Sequence, residues 1–206
     1  MARGIITIKP GTGGTTAGKI MVTDGAGSAD GTTPSLSLGI GVNFTESTTA
    51  NVGDLVSFDL NSTGLASKIV LAIQGKLINN SGENVLVSSG QHVAISGTID
   101  GKVTVAGGVL AVLEKTKVGG RLESSTDNSF IFSNGADIAA KVEFSGAGYL
   151  FLENTIVEGK VSSDGSVYTM VKKCTINGSL EVINTVDCHC NDNTVDGKTN
   201  TPNNKP

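Results

Sequence analysis

Cys188-His189-Cys190 is the one stretch in which metal-ligating residue types crowd together. In an extended strand the two thiols point to one side and the imidazole to the other. Placing all three on one ion requires a bend, and a tetrahedral zinc site wants four donors. Cys174 is the only further sulfur among the cysteines. Buried free cysteine, acting as a small apolar residue, explains the cluster better, so neither a metal nor a cofactor is expected. Acid–base chemistry needs two carboxylates roughly 5–10 Å apart across a cleft. Asp100, Asp127, Asp137, Glu158 and Asp164 are instead scattered along the repeat described next without convergent partners, and His92 and His189 lie at its opposite ends. No catalytic residue is assigned, and the chain is expected not to be an enzyme.

These residues are positioned by a repeat. One unit recurs as Ile99-Asp-Gly-Lys-Val, Val118-Gly-Gly-Arg-Leu, Ile138-Ala-Ala-Lys-Val, Val157-Glu-Gly-Lys-Val, Ile176-Asn-Gly-Ser-Leu and Val195-Asp-Gly-Lys-Thr, with steps of 19, 20, 19, 19 and 19. Stacking coils about 4.8 Å apart sets equivalent residues above one another. The anchor column Ile99, Val118, Ile138, Val157, Ile176 and Val195 is β-branched and points inward. Two residues on, the column Gly101, Gly120, Ala140, Gly159, Gly178 and Gly197 marks a corner that needs positive φ or close backbone approach. A basic column follows, Lys102, Arg121, Lys141, Lys160 and Lys198, interrupted by Ser179. It could bind anions, but Glu123, Glu143 and Glu181 two residues along make a solvated, charge-balanced face the better reading. The expected fold is all-β: residues 75–200 form a parallel β-helix of about 19 residues per coil, followed by a polar tail at 201–206. This period and its Gly/Val patterning resemble right-handed parallel β-helices and, loosely, the bactofilins, cytoskeletal solenoids of similar coil length. That resemblance implies end-to-end polymerisation without nucleotide.

One segment of each coil is apolar on both faces: Leu110–Ala–Val–Leu113, Phe130–Ile–Phe–Ser133, Tyr149–Leu–Phe–Leu152 and Tyr168–Thr–Met–Val171. Only one face can point into the coil. In the last coil Asp187 and His189 continue the aromatic face, and Cys188 and Cys190 the aliphatic one. A carboxylate inside the coil is costly, so the aliphatic face goes in. The outward stripe is then Leu110, Val112, Phe130, Phe132, Tyr149, Phe151, Tyr168 and Met170. It exceeds the few hundred Å² of apolar patch that monomers expose and needs a cover. A neighbouring subunit comes first, the N-terminal domain folding back second, a sugar on the tyrosines third.

Before the repeat, residues 1–74 hold five apolar segments, at 4–9, 19–23, 36–44, 52–60 and 65–72, punctuated by Gly, Thr, Ser and Asp. Five short strands in such a length suit a small OB-like barrel. Arg3-Gly4-Ile5-Ile6-Thr7, Val52-Gly53-Asp54-Leu55-Val56-Ser57-Phe58 and Gly64-Leu65-Ala66-Ser67-Lys68-Ile69-Val70 resemble the first, fourth and fifth strands of cold-shock domains. That family binds single-stranded nucleic acid by stacking bases on aromatics of its middle strands. Here those strands, 18–22 and 36–42, carry no aromatic residue. Stacking supplies about 1–3 kcal/mol per base, and Arg3, Lys9, Lys19 and Lys68 are outnumbered by Asp24, Asp30, Glu46, Asp54 and Asp59. Nucleic acid is therefore not an expected partner.

Composition agrees. Charged residues make up 17% of the 206, aromatics 4%, and the net charge is −4, against the basic excess of nucleic-acid binders and against anionic membranes. No apolar run approaches the ~18 residues of a membrane span, and no secretory h-region is visible, so a cytoplasmic location is expected, with a virion or appendage as the other option. Function is expected to be structural: a non-enzymatic subunit that assembles into an oligomer or filament through its solenoid. A carbohydrate- or surface-binding module of a fibre or phage-type appendage is the alternative, with glycan as possible ligand. A polysaccharide-acting β-helix enzyme ranks third.

Overall fold

The computed structural model describes residues 1–10, 17–25 and 36–202. Asp30 and most of the polar tail lie outside these residues. The described chain is all-β and contains no helix. It divides into two compact units, Met1–Leu77 with His92–Ala94, and Ile78–Gln91 with Ile95 onward.

The first unit is a five-stranded antiparallel sheet of β1 (Ala2–Ile8), β2 (Gly18–Asp24), β3 (Gly41–Phe44), β4 (Leu55–Leu60) and β5 (Ala66–Ile73), in the order β3-β2-β1-β4-β5. Alternation sends Ile6, Ile20, Val22, Val42, Phe44, Val56 and Phe58 into one core. The third segment forms a shorter strand than its apolar run suggested. Gly39 takes φ 76, its amide bonds Val22 O, and residues 36–40 become a turn that feeds β3. Asp54 is buried but serves backbone: its carboxylate accepts the amides of Asn51 and Gly75, each at 2.7 Å.

The second unit is a parallel β-solenoid of about seven turns with about 19 residues per coil. Each coil contributes to three parallel ladders. One runs through Val103–Ala106, Leu122–Ser124, Val142–Ser145, Val161–Asp164, Leu180–Ile183 and Thr199–Asn200, beginning from Val85–Ser88. The next runs through Val109–Val112, Phe130–Asn134, Tyr149–Glu153, Tyr168–Lys172 and Asp187–Asn191. The third is a ladder of two-residue strands, in which Ile99, Val118, Ile138, Val157, Ile176 and Val195 stack in register. All of this column but Val195 is fully buried.

The glycine column resolves into close approach. None of its glycines has positive φ, yet a Cβ on Gly178 would lie 2.6 Å from the carbonyl carbon of Gly159, and one on Gly120 2.7 Å from that of Gly101. Corner backbones therefore stack on one another directly. A second corner column does use the left-handed region: Lys115 (φ 64), Gly135 (φ 72), Asn154 (φ 48), Lys173 (φ 53) and Asp192 (φ 57). Its mixed residue types hide it from a search for glycine.

Toward the last coils the interior changes character. Leu122, Leu150, Leu152 and Phe144 fill the middle coils. Beyond them Ser163, Ser166 and Thr169 are buried and satisfy one another, with hydroxyl separations of 2.7–3.1 Å, and Ser166 reaches Thr185 at 2.9 Å. Buried hydroxyls are tolerated when bonded in this way.

Candidate functional site

The aromatic stripe lies on the middle ladder, in a register that corrects the sequence reading of its first coil. Val109 pairs with Phe130, Leu110 with Ile131, Ala111 with Phe132, and Val112 with Ser133. Leu110 and Val112 therefore point inward, and Val109 and Ala111 take the outward positions. A one-residue slip moves every side chain to the other face. The period misled because it holds while its residues are shared differently between corners. From Val105 to Val109 the chain needs 4 steps, but from the equivalent Ser124 to Phe130 it needs 6. One of the two extra residues is regained at the next corner, where Val112 to Lys117 takes 5 steps and Ser133 to Asp137 takes 4.

From the second of these coils onward the outward face is Phe130 and Phe132, then Tyr149 and Phe151, Tyr168 and Met170, and Asp187 and His189. The rings form a continuous stack. Phe130 lies 4.5 Å from Tyr149 and 4.9 Å from Phe132, Phe132 lies 5.0 Å from Phe151, and Phe151 lies 5.2 Å from Tyr168. His189 extends the stack at 5.4 Å from Tyr168, with its Nε2 3.6 Å from the Asp187 carboxylate. Offset stacking at such spacings adds about 0.5–1.5 kcal/mol per pair beyond area burial.

The stripe is not an open apolar surface. Phe130 is 8% exposed and Phe132 and Phe151 are each 2% exposed in the single chain, while Tyr149, Tyr168 and Met170 are half-buried. Of the eight residues predicted to form an interface, two face inward, three are buried outward rings, and three keep partial access. The premise of a large exposed stripe that a second subunit must cover is corrected accordingly.

The basic column is an ion-pair ladder. Lys102 meets Glu123 at 2.9 Å, Arg121 meets Glu123 at 2.5 Å and Glu143 at 3.8 Å, and Lys141 meets Glu143 at 2.7 Å. Lys160 reaches one coil on to Glu181, because Ser162 occupies the acidic position of its own coil. Burial tends to raise the Glu123 carboxyl, but hydrogen bonds from Lys102 and Thr104 and the charges of Arg121 and Lys102 outweigh it and hold the group below its ordinary value. Charges so balanced leave little field for an anionic ligand.

Three of the scattered carboxylates make hydrogen bonds between coils. Asp127 accepts the Ala147 amide at 2.8 Å, Asp164 accepts Asn184 Nδ2 at 2.9 Å, and Glu158 accepts Asn177 Nδ2 at 2.6 Å. Each ties one coil to the next. Cys188 and Cys190 point inward with sulfurs 3.2 Å apart, and His189 points outward between them. Among the described residues no group of three or more His, Cys, Asp or Glu is arranged to hold a metal ion.

The last coil is the other feature of note. Asp187–Asn191, Thr194–Val195 and Thr199–Asn200 each stand at the end of their ladder among the described residues. Val186, which leads into this coil, is 80% exposed. The sequence reading passed over this end because a repeat shows where coils are, not where stacking stops. No family model matches the chain, and no curated protein or solved structure is significantly similar to it.

Proposed function

We propose that this chain is a non-enzymatic structural protein that assembles with copies of itself through its solenoid, joining at the last coil. The observation that carries this reading is that the three strands there have a ladder partner on one side only among the described residues. A strand at a sheet edge is a template for pairing with another chain unless charge, proline or a cover blunts it. Val186, Thr199 and Asn200 at this end are exposed and uncharged, and stand beside the exposed Asp192, Asp196 and Lys198. Solenoid coils bury their apolar surface against neighbours, so an added chain that continues the stack extends the core of both. The likeness to bactofilins in coil length supports the same reading.

The five-stranded order β3-β2-β1-β4-β5 is compatible with an OB-like barrel that lacks stacking aromatics on β2 and β3 other than Phe44, which is buried in its core. The first unit on this reading does not bind nucleic acid. The test of assembly is the double variant Val186→Lys with Thr199→Lys, which places charge on the end as natural edge strands do. It is expected to remain folded and to scatter light as a smaller species than wild type. Unchanged assembly size would reject the last coil as the junction.

A second reading, a glycan-binding module of a fibre, is favoured by Tyr149 and Tyr168, the half-exposed rings of the stack, with Asp187 and His189 beside them. Binding on a glycan panel that is lost in Tyr149→Ala with Tyr168→Ala would support it instead.

A further inference from the structure

We propose that Cys188 and Cys190 form a reactive dithiol at the end of the solenoid, which closes to an intramolecular disulfide by exchange with a low-molecular-weight disulfide such as glutathione disulfide. Three observations carry this. The two side chains share the inward face of one strand, with sulfurs 3.2 Å apart. That strand, Asp187–Asn191, is paired with Tyr168–Lys172 and is the last of its ladder among the described residues. All three cysteines are buried, but Cys174 lies on a corner of the preceding coil and its thiol donates to Lys172 O at 3.3 Å instead of meeting another sulfur.

Position decides whether the bond can close. A disulfide needs sulfurs about 2.05 Å apart and Cβ atoms about 3.5–4.5 Å apart. Alternate residues of a regular strand start farther apart than that, since each step rises about 3.3 Å. The strand must pucker at His189 to close the bond. A strand held between two neighbours would have to break ladder bonds on both sides, and an end strand on one. The product is a bent disulfide, and strain of this kind makes it easily reduced again.

The thiols are also suited electronically. Either thiol can donate to the other sulfur across 3.2 Å; when Cys190 donates, the Cys188 thiol is held below its ordinary pKa against the effect of burial and that of Cys190 is raised. Burial pushes Cys174 up to about 11. In that arrangement Cys188 is the attacking sulfur. Its thiolate attacks glutathione disulfide, forming a mixed disulfide and releasing one glutathione thiolate. Cys190 then gives up its proton to solvent, its sulfur attacks Cys188 Sγ, and the second glutathione leaves. Two thiols are oxidised and one glutathione disulfide is reduced to two glutathiones.

The test equilibrates the folded full chain in glutathione buffers from fully reduced to fully oxidised, followed by acid quench, alkylation and mass spectrometry. Wild type is expected to lose two hydrogens, with the bond mapped to Cys188 and Cys190 and with Cys174 still alkylatable after unfolding. Cys174→Ala is expected to behave as wild type. Cys190→Ser is expected to stop at the mixed disulfide and gain one glutathionyl group. Three intact thiols at every ratio, or a bond that includes Cys174, overturns the proposal. Assembly through the last coil would hold Asp187–Asn191 between two neighbours, so the equilibration is run at a dilution at which light scattering shows single chains, which separates this result from that reading.

Discussion

Phe151→Ala separates two ways in which the aromatic stripe can be covered. Phe151 is 2% exposed and stacks on Phe132 at 5.0 Å, Tyr168 at 5.2 Å and Phe130 at 5.6 Å. Truncating a buried phenylalanine costs about 3–5 kcal/mol, and loss of the ring pairs falls within that total. For a chain of this size each kcal/mol shifts Tm by about 2–4 °C, which makes the expected loss roughly 6–20 °C. Thermal melts followed by circular dichroism, run from dilute to concentrated protein, provide the assay. Burial within the single chain predicts the full loss at every concentration. If the dilute variant melts with wild type and a penalty emerges only at high concentration, the ring is exposed in the monomer and the stripe is an assembly interface after all.

Three further perturbations test individual features. Lys173→Gly relieves a left-handed residue at φ 53 and is expected to stabilise by about 0.5–1 kcal/mol, since αL costs a side-chain-bearing residue more than glycine loses in freedom; lowered stability in chemical denaturation would show that the Lys173 side chain matters more than its backbone. Gly178→Val sets a Cβ 2.6 Å from the Gly159 carbonyl carbon and is expected to destabilise by about 1–3 kcal/mol; an unchanged denaturation midpoint would contradict direct stacking of corner backbones. Glu123 has a lowered folded pKa, so its contribution is present above the ordinary carboxyl value and is lost as pH falls through the lower folded one. Glu123→Gln is therefore expected to flatten the acid side of the Tm–pH profile, and a profile parallel to wild type would refute the ladder's role.

Much of the solenoid was legible because stacking turns sequence period into spatial register. The column Ile99 to Val195 needs only a constant step, and it stacks as read. Register failed where the step is constant but the corners are not. The longer turn at 125–129, held by Thr126 with Ser129 and by Asp127 with the Ala147 amide, shifts the first stripe strand by one residue and reverses Leu110 and Val112. Burial of the outward rings was also hidden, because a pattern tells which side a residue faces and not how closely its neighbours pack. Phe130, Phe132 and Phe151 face out and are nonetheless buried. The left-handed corner column escaped for a related reason: lysine at 115 and 173 carries no turn signal of its own.

Cryo-electron microscopy of the purified full chain at rising concentration tests self-assembly through the solenoid most directly. Oligomers or filaments in which the coil rise of about 4.8 Å continues across a junction at Asp187–Asn191, Thr194–Val195 and Thr199–Asn200 are the expected result. Monodisperse single chains at every concentration, or assemblies joined elsewhere with this coil left facing solvent, would contradict it.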